Sequence, residues 1–323
     1  MSNPTPADVA TEARSEFAED AHRGLAAPQK WLPSKYFYDE HGSALFDAIT
    51  ELEEYYPTRT ELSILQRHAP AMARRLGPDC ALIEYGSGSS LKIRLLLDAL
   101  DGLEGVATYV PIDISGEHLL RSAEAVALDY PRLRVEPVVA DFTQPVDLPR
   151  SIDDSARRIV YFPGSTIGNL VPDEADALLR GIVDLVGPEG GALIGVDLEK
   201  PHEVIEAAYN DAAGVTAEFN LNMLRRMNRE LNADFDIAAF EHCAYFNDEH
   251  HRIEMHLVSQ RAQVVRLDDL AVTFEAGETI RTEYSHKYTP ERFEELARRA
   301  GLTIRQQWTD HRQWFGVFYL ELA

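Results

Sequence analysis

The sequence predicts an α/β protein in which a doubly wound, mainly parallel sheet is joined to a second, smaller α+β domain. Three observations lead there. Between residues 81 and 197 short apolar runs alternate with helical patterns, and the runs end at polar side chains. The first run, ALIEYGSGSSLKIR over 81–94, turns through Gly86 and Gly88 directly into a helix. From Glu199 to Tyr288 the alternation stops, for a stretch too long to be a loop, which marks an insertion.

Residues 1–25 read as a loosely tied helical arm, and 28–38 as an aromatic loop with Trp31, Tyr36, Phe37 and Tyr38. Leu45, Phe46, Ile49 and Leu52 recur at helical spacing over 42–52; the stretch 54–59 breaks that helix, and Thr60 with Glu61 suits the start of another, 60–75. Strands are expected at 82–85, 108–112, 134–139, 158–162 and 192–196, with helices at 91–100, 116–130 and 173–186. Glu84, Asp113, Asp141, Asn169 and Asp197 fall at or just beyond the strand ends, where ligands of such sheets bind. Residues 201–231 read as one helix with Tyr209 in its first turns. Strands follow at 235–246 and 252–260, then a β pair, 270–274 with 279–288, turning at Ala276-Gly277. Thr289 and Pro290 open a helix ended by Gly301, and 302–310 with 316–322 close the chain as a hairpin. The expected domains are 61–198 with 289–323, and 1–60 with 199–288.

The 323 residues suffice for two domains sharing a cleft, and 45% apolar content can fill their cores. A net charge of −23 repels nucleic acid and anionic membranes, although acidity also serves solubility alone. The two cysteines, Cys80 and Cys243, form no CxxC pair, no metal site is expected, and residues 1–21 hold no apolar signal core. A cytoplasmic enzyme is the expectation, acting as a monomer on a small molecule.

The glycine turn alone is weak evidence, since GSGSS places Ser89 and Ser90 where a dinucleotide fingerprint has its third glycine. Its context is stronger. Asp113 can hold two ribose hydroxyls, Asp141 can accept from an adenine amine, and Phe142 can pack on the base. That order belongs to S-adenosylmethionine-dependent methyltransferases of the Rossmann-like type, with a nicotinamide dinucleotide as the alternative. Each acid alone also reads as a helix cap or a surface carboxylate. Lys92 either meets the carboxylate of a methionine-like tail or lies on a solvated helix face. Asn169, after the glycine-rich stretch 163–169, either orients a neutral amine or caps the helix beyond it. Tyr55 and Tyr209 either bind a carboxylate or pack in a core. Glu283 and Ser285 share one strand face, where they match the two nitrogens of an imidazole or form a polar outer face. His242, His256 and His286 read as structural.

The strings KYFYDEHGSALFDAIT, EYYPTRTE, IEYGSGSSLKIR, PIDIS, FPGSTIGNL, YNDAAGVTAEFN, NRELNADFD, RIEMHL and TEYSHKY together resemble the histidine-specific N-alpha-methyltransferases that begin ergothioneine biosynthesis. The resemblance covers nearly the whole chain. It implies a class I methyltransferase domain plus a substrate-binding domain, with S-adenosylmethionine as methyl donor, S-adenosylhomocysteine as by-product and L-histidine as acceptor. It further implies that Tyr38, Gly86, Ser87 and Lys92 hold the methionine part of the cofactor, Asp113 its ribose, and Asp141 with Phe142 its adenine. Asn169 would hold the histidine amine beside Gly164, Tyr55 and Tyr209 its carboxylate, and Glu283 and Ser285 its imidazole, with Met255 alongside. Asn169 and Tyr55 would be the catalytic pair. Methylation of another amino acid or small amine is the alternative. Tyr85 stands where leucine is expected, Pro163 precedes the GSTIGN loop, and His286 follows the serine where a smaller residue is usual.

Overall fold

A computed structural model describes residues 6–77, 79–88, 90–101, 108–150, 152 and 157–323, with backbone alone for 6–13. Ser89 of the glycine turn and residues 1–5 of the arm lie outside the described residues. The chain divides into two compact units. One comprises Tyr55–Pro201, Glu249–Arg252 and Ser285–Ala323; the other comprises the segment ending at Glu54, His202–Asp248 and Ile253–Tyr284. Residues 55–60 and 285–288 therefore lie with the sheet unit.

Among the described residues the sheet of the first unit has eight strands. Its order is Leu302–Thr309, Phe315–Leu322, Gly191–Asp197, Arg158–Phe162, Ala81–Tyr85, Thr108–Asp113 and Arg134–Val135, with Val138–Val139 also pairing on Thr108–Asp113. Every pairing is parallel except those of the closing hairpin. The sheet is wound on both faces. Leu82, Tyr109, Ile159 and Leu193 pack with the helices Tyr56–Leu76 and Leu91–Asp101. Ile83, Val110, Val160 and Ile194 pack with Pro172–Val186 and Pro290–Arg299. Burial on both faces explains why these strands read as continuous apolar runs.

The expected strand at 134–139 is instead two dipeptides. Pro137 has no N–H for the ladder, so Arg134–Val135 pairs with the start of Thr108–Asp113 and Val138–Val139 with its end. The helix expected from Thr60 begins at Tyr56, with Pro57 in its first turn.

Strands Lys30–Trp31, Thr279–His286, Arg252–Ser259 and Phe240–Asn247, which lie in the second unit except for Arg252, Ser285 and His286, form one sheet in that order. The helix Glu40–Thr50, capped by Asp39 accepting from the Gly42 N–H at 2.7 Å, packs with Val215–Glu230 through Phe46 and Phe219. The N-terminal helix Pro6–Leu25 is tied down at its end: Phe17 stacks on Tyr36 at 4.1 Å, and the Tyr36 hydroxyl donates to Asp20 at 2.7 Å. The expected long helix over 201–231 is two, His202–Ala207 and Val215–Glu230. Asp211 separates them by accepting the Val215 and Thr216 N–H groups, each at 2.8 Å, as the chain turns through Gly214 at φ +74°. The expected β pair is also redrawn. Leu270–Phe274 pairs with Gln263–Leu267 across a two-residue turn with Asp268 at φ +47°, while Thr279–His286 joins the other sheet. No helix among the described residues is long and apolar enough to cross a membrane.

Candidate functional site

The carboxyl edge of the parallel strands gathers most of the expected residues. Gly86 at φ +70° and Gly88 at φ +46° make the turn that only glycine adopts without strain, and the Gly86 N–H donates to the Ile112 carbonyl at 2.9 Å. Ser87 between them is buried, and its Oγ has no hydrogen-bond partner among the described residues. A buried hydroxyl left unpaired inside a positive-φ turn suits a polar ligand lying against the backbone. Asp113 and Asp141, both half-buried, each fold a carboxylate oxygen onto the next turn: Asp113 accepts from the Ser115 N–H, and Asp141 from the Thr143 N–H, both at 2.9 Å. Phe142 stacks on Tyr85 at 5.4 Å and meets Phe162 edge-on at 5.3 Å, so tyrosine in place of the expected leucine extends an aromatic wall.

Two of the strand-end acids are buried and paired within the protein. Glu84 is buried and accepts from the Tyr109 hydroxyl, and burial pushes its carboxyl up to about 8. Asp197 is buried between the Lys200 ammonium at 2.6 Å and the Lys287 ammonium at 2.8 Å, and it accepts from the Tyr56 hydroxyl at 2.7 Å. Burial alone would raise its carboxyl, but the two ammoniums outweigh burial and hold it low. Burial brings Lys200 down to about 8 against the pull of Asp197.

Lys92 is not on a solvated face. Its Nζ lies 2.6 Å from Glu61, an acid with no side-chain exposure. Glu61 also accepts from the Gly164 N–H, at 3.0 Å to its nearer oxygen. A Cβ on Gly195 would fall 2.4 Å from the same carboxylate, so glycine leaves the space that Glu61 fills. Sequence reasoning took Glu61 for an ordinary first-turn acid; nothing local signals its second role.

The loop after Arg158–Phe162 is held from several sides. Gly164 has φ +77° and Ser165 φ +61°, and Ser165 Oγ accepts the Asp197 N–H at 2.9 Å. A Cβ on Gly168 would fall 2.7 Å from the His286 carbonyl oxygen, and His286 Nδ1 donates to the Gly168 carbonyl at 2.9 Å. Burial lowers the His286 imidazole to about 4, so the ring is neutral at pH 7 and carries its hydrogen on Nδ1. This fixes the 3-10 turn Thr166–Asn169. Asn169 is half-buried at its end and does not cap the following helix, where the Glu174 side chain accepts the Val171 N–H at 3.1 Å. Tyr55 is half-buried just before the helix Tyr56–Leu76. Ser285, 3% exposed, accepts from Lys287 Nζ at 2.8 Å.

The remaining candidates lie in the other unit. Tyr38 is half-buried, edge-on to Phe46 at 5.6 Å and to Phe219 at 5.7 Å. Tyr209, buried, sits in the turn after His202–Ala207 rather than on a helix, and its carbonyl accepts from His242 Nε2 at 2.8 Å. Burial lowers the His242 imidazole, and Asn220 donates to its Nδ1 at 2.9 Å. Met255 is buried on Arg252–Ser259, and its carbonyl accepts from Thr282 Oγ1 at 3.2 Å. Glu283 is 9% exposed. Glu283 and Ser285 are therefore both buried, which rules out a polar outer face. Among the described residues no group of three or more His, Cys, Asp or Glu side chains is placed to hold a metal ion.

Residues 17–322 match the family model described as histidine-specific methyltransferase, SAM-dependent. The chain is 43% identical to the histidine N-alpha-methyltransferase of Mycolicibacterium smegmatis, over 98% of this chain and 97% of that protein. It is 41% identical to the Mycobacterium tuberculosis protein of the same name, over 92% of each. Ergothioneine biosynthesis protein 1 of Neurospora crassa is 32% identical over 86% of this chain, which spans 32% of that longer protein. The wound sheet, the glycine turn with its acids, and a match that runs almost end to end place this chain in the family of histidine-specific, S-adenosylmethionine-dependent methyltransferases.

Proposed function

We propose that the protein transfers three methyl groups in succession to the α-nitrogen of L-histidine, giving histidine betaine for ergothioneine synthesis. One observation supports the choice of substrate above the rest: Glu283 and Ser285, two residues apart on one strand, are both buried polar side chains. An acid and a hydroxyl at that spacing match the N–H and the lone pair of a neutral imidazole, and a buried polar pair penalises any side chain that leaves it unmatched.

In this reading Gly86, Ser87, Lys92 and Tyr38 hold the methionine part of the cofactor, Asp113 its ribose, and Asp141 with Phe142 its adenine. The Ser87 hydroxyl, buried without a hydrogen-bond partner among the described residues, and the two positive-φ glycines support it. When bound, S-adenosylmethionine supplies a methyl group already activated on a sulfonium. The task left to the chain is positioning. Asn169 orients the neutral amine beside Gly164, with its amide oxygen accepting an amine hydrogen, and the released proton passes to solvent. Tyr55 and Tyr209 hold the substrate carboxylate, and Met255 lines the ring.

We read the enzyme as a cytoplasmic monomer that does not bind nucleic acid. The charge of −23 supports the exclusion of nucleic acid, and the two free cysteines support the compartment. Mass spectrometry of histidine incubated with the protein and S-adenosylmethionine is the direct test, with the other nineteen amino acids in parallel. The expected product is histidine heavier by three methyl groups. Methylation of a different amino acid in preference to histidine would overturn the reading.

A further inference from the structure

Ser285 is held by a buried ammonium. Lys287 Nζ donates to Ser285 Oγ at 2.8 Å and lies 2.8 Å from Asp197 Oδ2, and the Lys287 and Asp197 side chains are each 1% exposed. Lys287 is fixed along its backbone too, its N–H donating to the His251 carbonyl and its carbonyl accepting from Arg292, both at 2.8 Å. Other groups with charge or titration near it are Lys200 and Tyr56, which share Asp197, His251 and Arg292 on its backbone with Glu199 pairing to both, His286 and Tyr288 beside it in the chain, and Glu283 two residues before Ser285 on the strand.

An ammonium has three donors and no lone pair. Ser285 accepts from Lys287 with one of its two lone pairs, so its own hydroxyl hydrogen is turned to another partner. The adjacent positive charge polarises that O–H and strengthens it as a donor. It also disfavours a second cation at the same hydroxyl. An imidazolium carries N–H at both nitrogens and a positive charge; a neutral imidazole offers one N–H and one lone pair.

Resting on the reading that Ser285 faces the substrate ring, we propose that Lys287 is a positioning residue that sets Ser285 as a hydrogen-bond donor and so restricts the enzyme to histidine with a neutral imidazole.

The test compares histidine with β-(1,2,4-triazol-3-yl)alanine, whose ring keeps an acceptor nitrogen and stays uncharged in weak acid. In the ratio of their kcat/KM values, titrations of the enzyme cancel. For the wild type the ratio should fall about tenfold per pH unit below the imidazole pKa of ~6.5. In Lys287→Met that slope should vanish, histidine KM should rise roughly tenfold at pH 8, and cofactor affinity by calorimetry should stay within about twofold. A flat ratio in the wild type, or a slope retained in Lys287→Met, overturns the proposal. Ser285→Ala separates the proposal from the reading beneath it. An unchanged histidine KM in that variant overturns the imidazole assignment itself, whereas a raised KM with the slope retained in Lys287→Met removes Lys287 alone. Should Lys287→Met not fold, Lys287→Arg decides: it keeps the charge and should keep the slope, and loss of the slope there overturns the proposal.

Discussion

The Glu61 carboxylate lies 2.6 Å from the Lys92 ammonium, with the acid wholly buried. Because Glu61 also accepts from the Gly164 N–H, one side chain ties the helix after the glycine turn to the loop that ends at Asn169. Removing one partner of a buried pair leaves the other charge uncompensated, so Glu61→Ala should lower the unfolding free energy by about 3 kcal/mol. Glu61→Gln, which keeps an acceptor for Gly164, should recover part of it. Urea denaturation of both variants checks this, and a loss under ~1 kcal/mol in the alanine variant would contradict a stabilising pair.

Gly168→Ala places a methyl 2.7 Å from the His286 carbonyl oxygen, a contact that backbone must relieve by moving. The displacement falls on the turn that carries Asn169. Misplacing a positioned group by an ångström costs up to about a hundredfold in rate, so kcat should fall at least tenfold with the fold intact. Steady-state kinetics with circular dichroism on the same sample distinguishes this from unfolding; unimpaired turnover would show that the loop tolerates the shift.

Glu84 should make stability decline toward alkaline pH. Its folded carboxyl is raised to about 8 from an ordinary 4.5, chiefly by burial. The folded state thus holds a proton that the unfolded chain releases first. The stabilisation is complete below pH 4.5 and is lost as pH rises toward 8. Glu84→Gln, which still accepts from Tyr109, should flatten this part of the pH–stability curve. Thermal melts of the two proteins from pH 5 to 8 compare the slopes, and parallel curves would exclude Glu84 as the source.

Glu283→Ala should raise histidine KM by on the order of a hundredfold while leaving cofactor affinity unchanged, because an imidazole N–H then loses its acceptor in a buried site. Kinetics for histidine alongside calorimetry for S-adenosylmethionine reads both. Equal losses of the two would mean that Glu283 supports the fold rather than the ring.

The parallel strands were legible because burial on both faces makes them apolar throughout: Arg158–Phe162 lies where the residues place it, and Gly191–Asp197 is longer than expected by one residue at each end. The edge was less so, since Pro137 splits a strand whose hydrophobicity reads as continuous. In the second unit the error was in partnership. Leu270–Phe274 has strand character on both readings, but the turn residues at Asp268 and Gly277 do not by themselves say which neighbour it joins. Asp113, Asp141 and Asn169 could be placed at the sheet's carboxyl edge because strand ends are readable from the alternation of elements. The internal pairing of Glu61, Glu84 and Asp197 was not legible, for a shared reason. A carboxylate at a helix start or strand end looks the same in sequence whether it meets solvent, a ligand or a half-buried lysine 31 residues away along the chain.

The empty side of Gly195 is as much a part of the Glu61 contact as Lys92 is. It imposes an order on divergence. A descendant that first shortens position 61 frees position 195 to accept a methyl group, but one that first acquires alanine at 195 shuts out glutamate at 61 and strands the lysine. Two positions 134 residues apart therefore form an epistatic lock, and substitutions tolerated at one should be readable only with knowledge of the other.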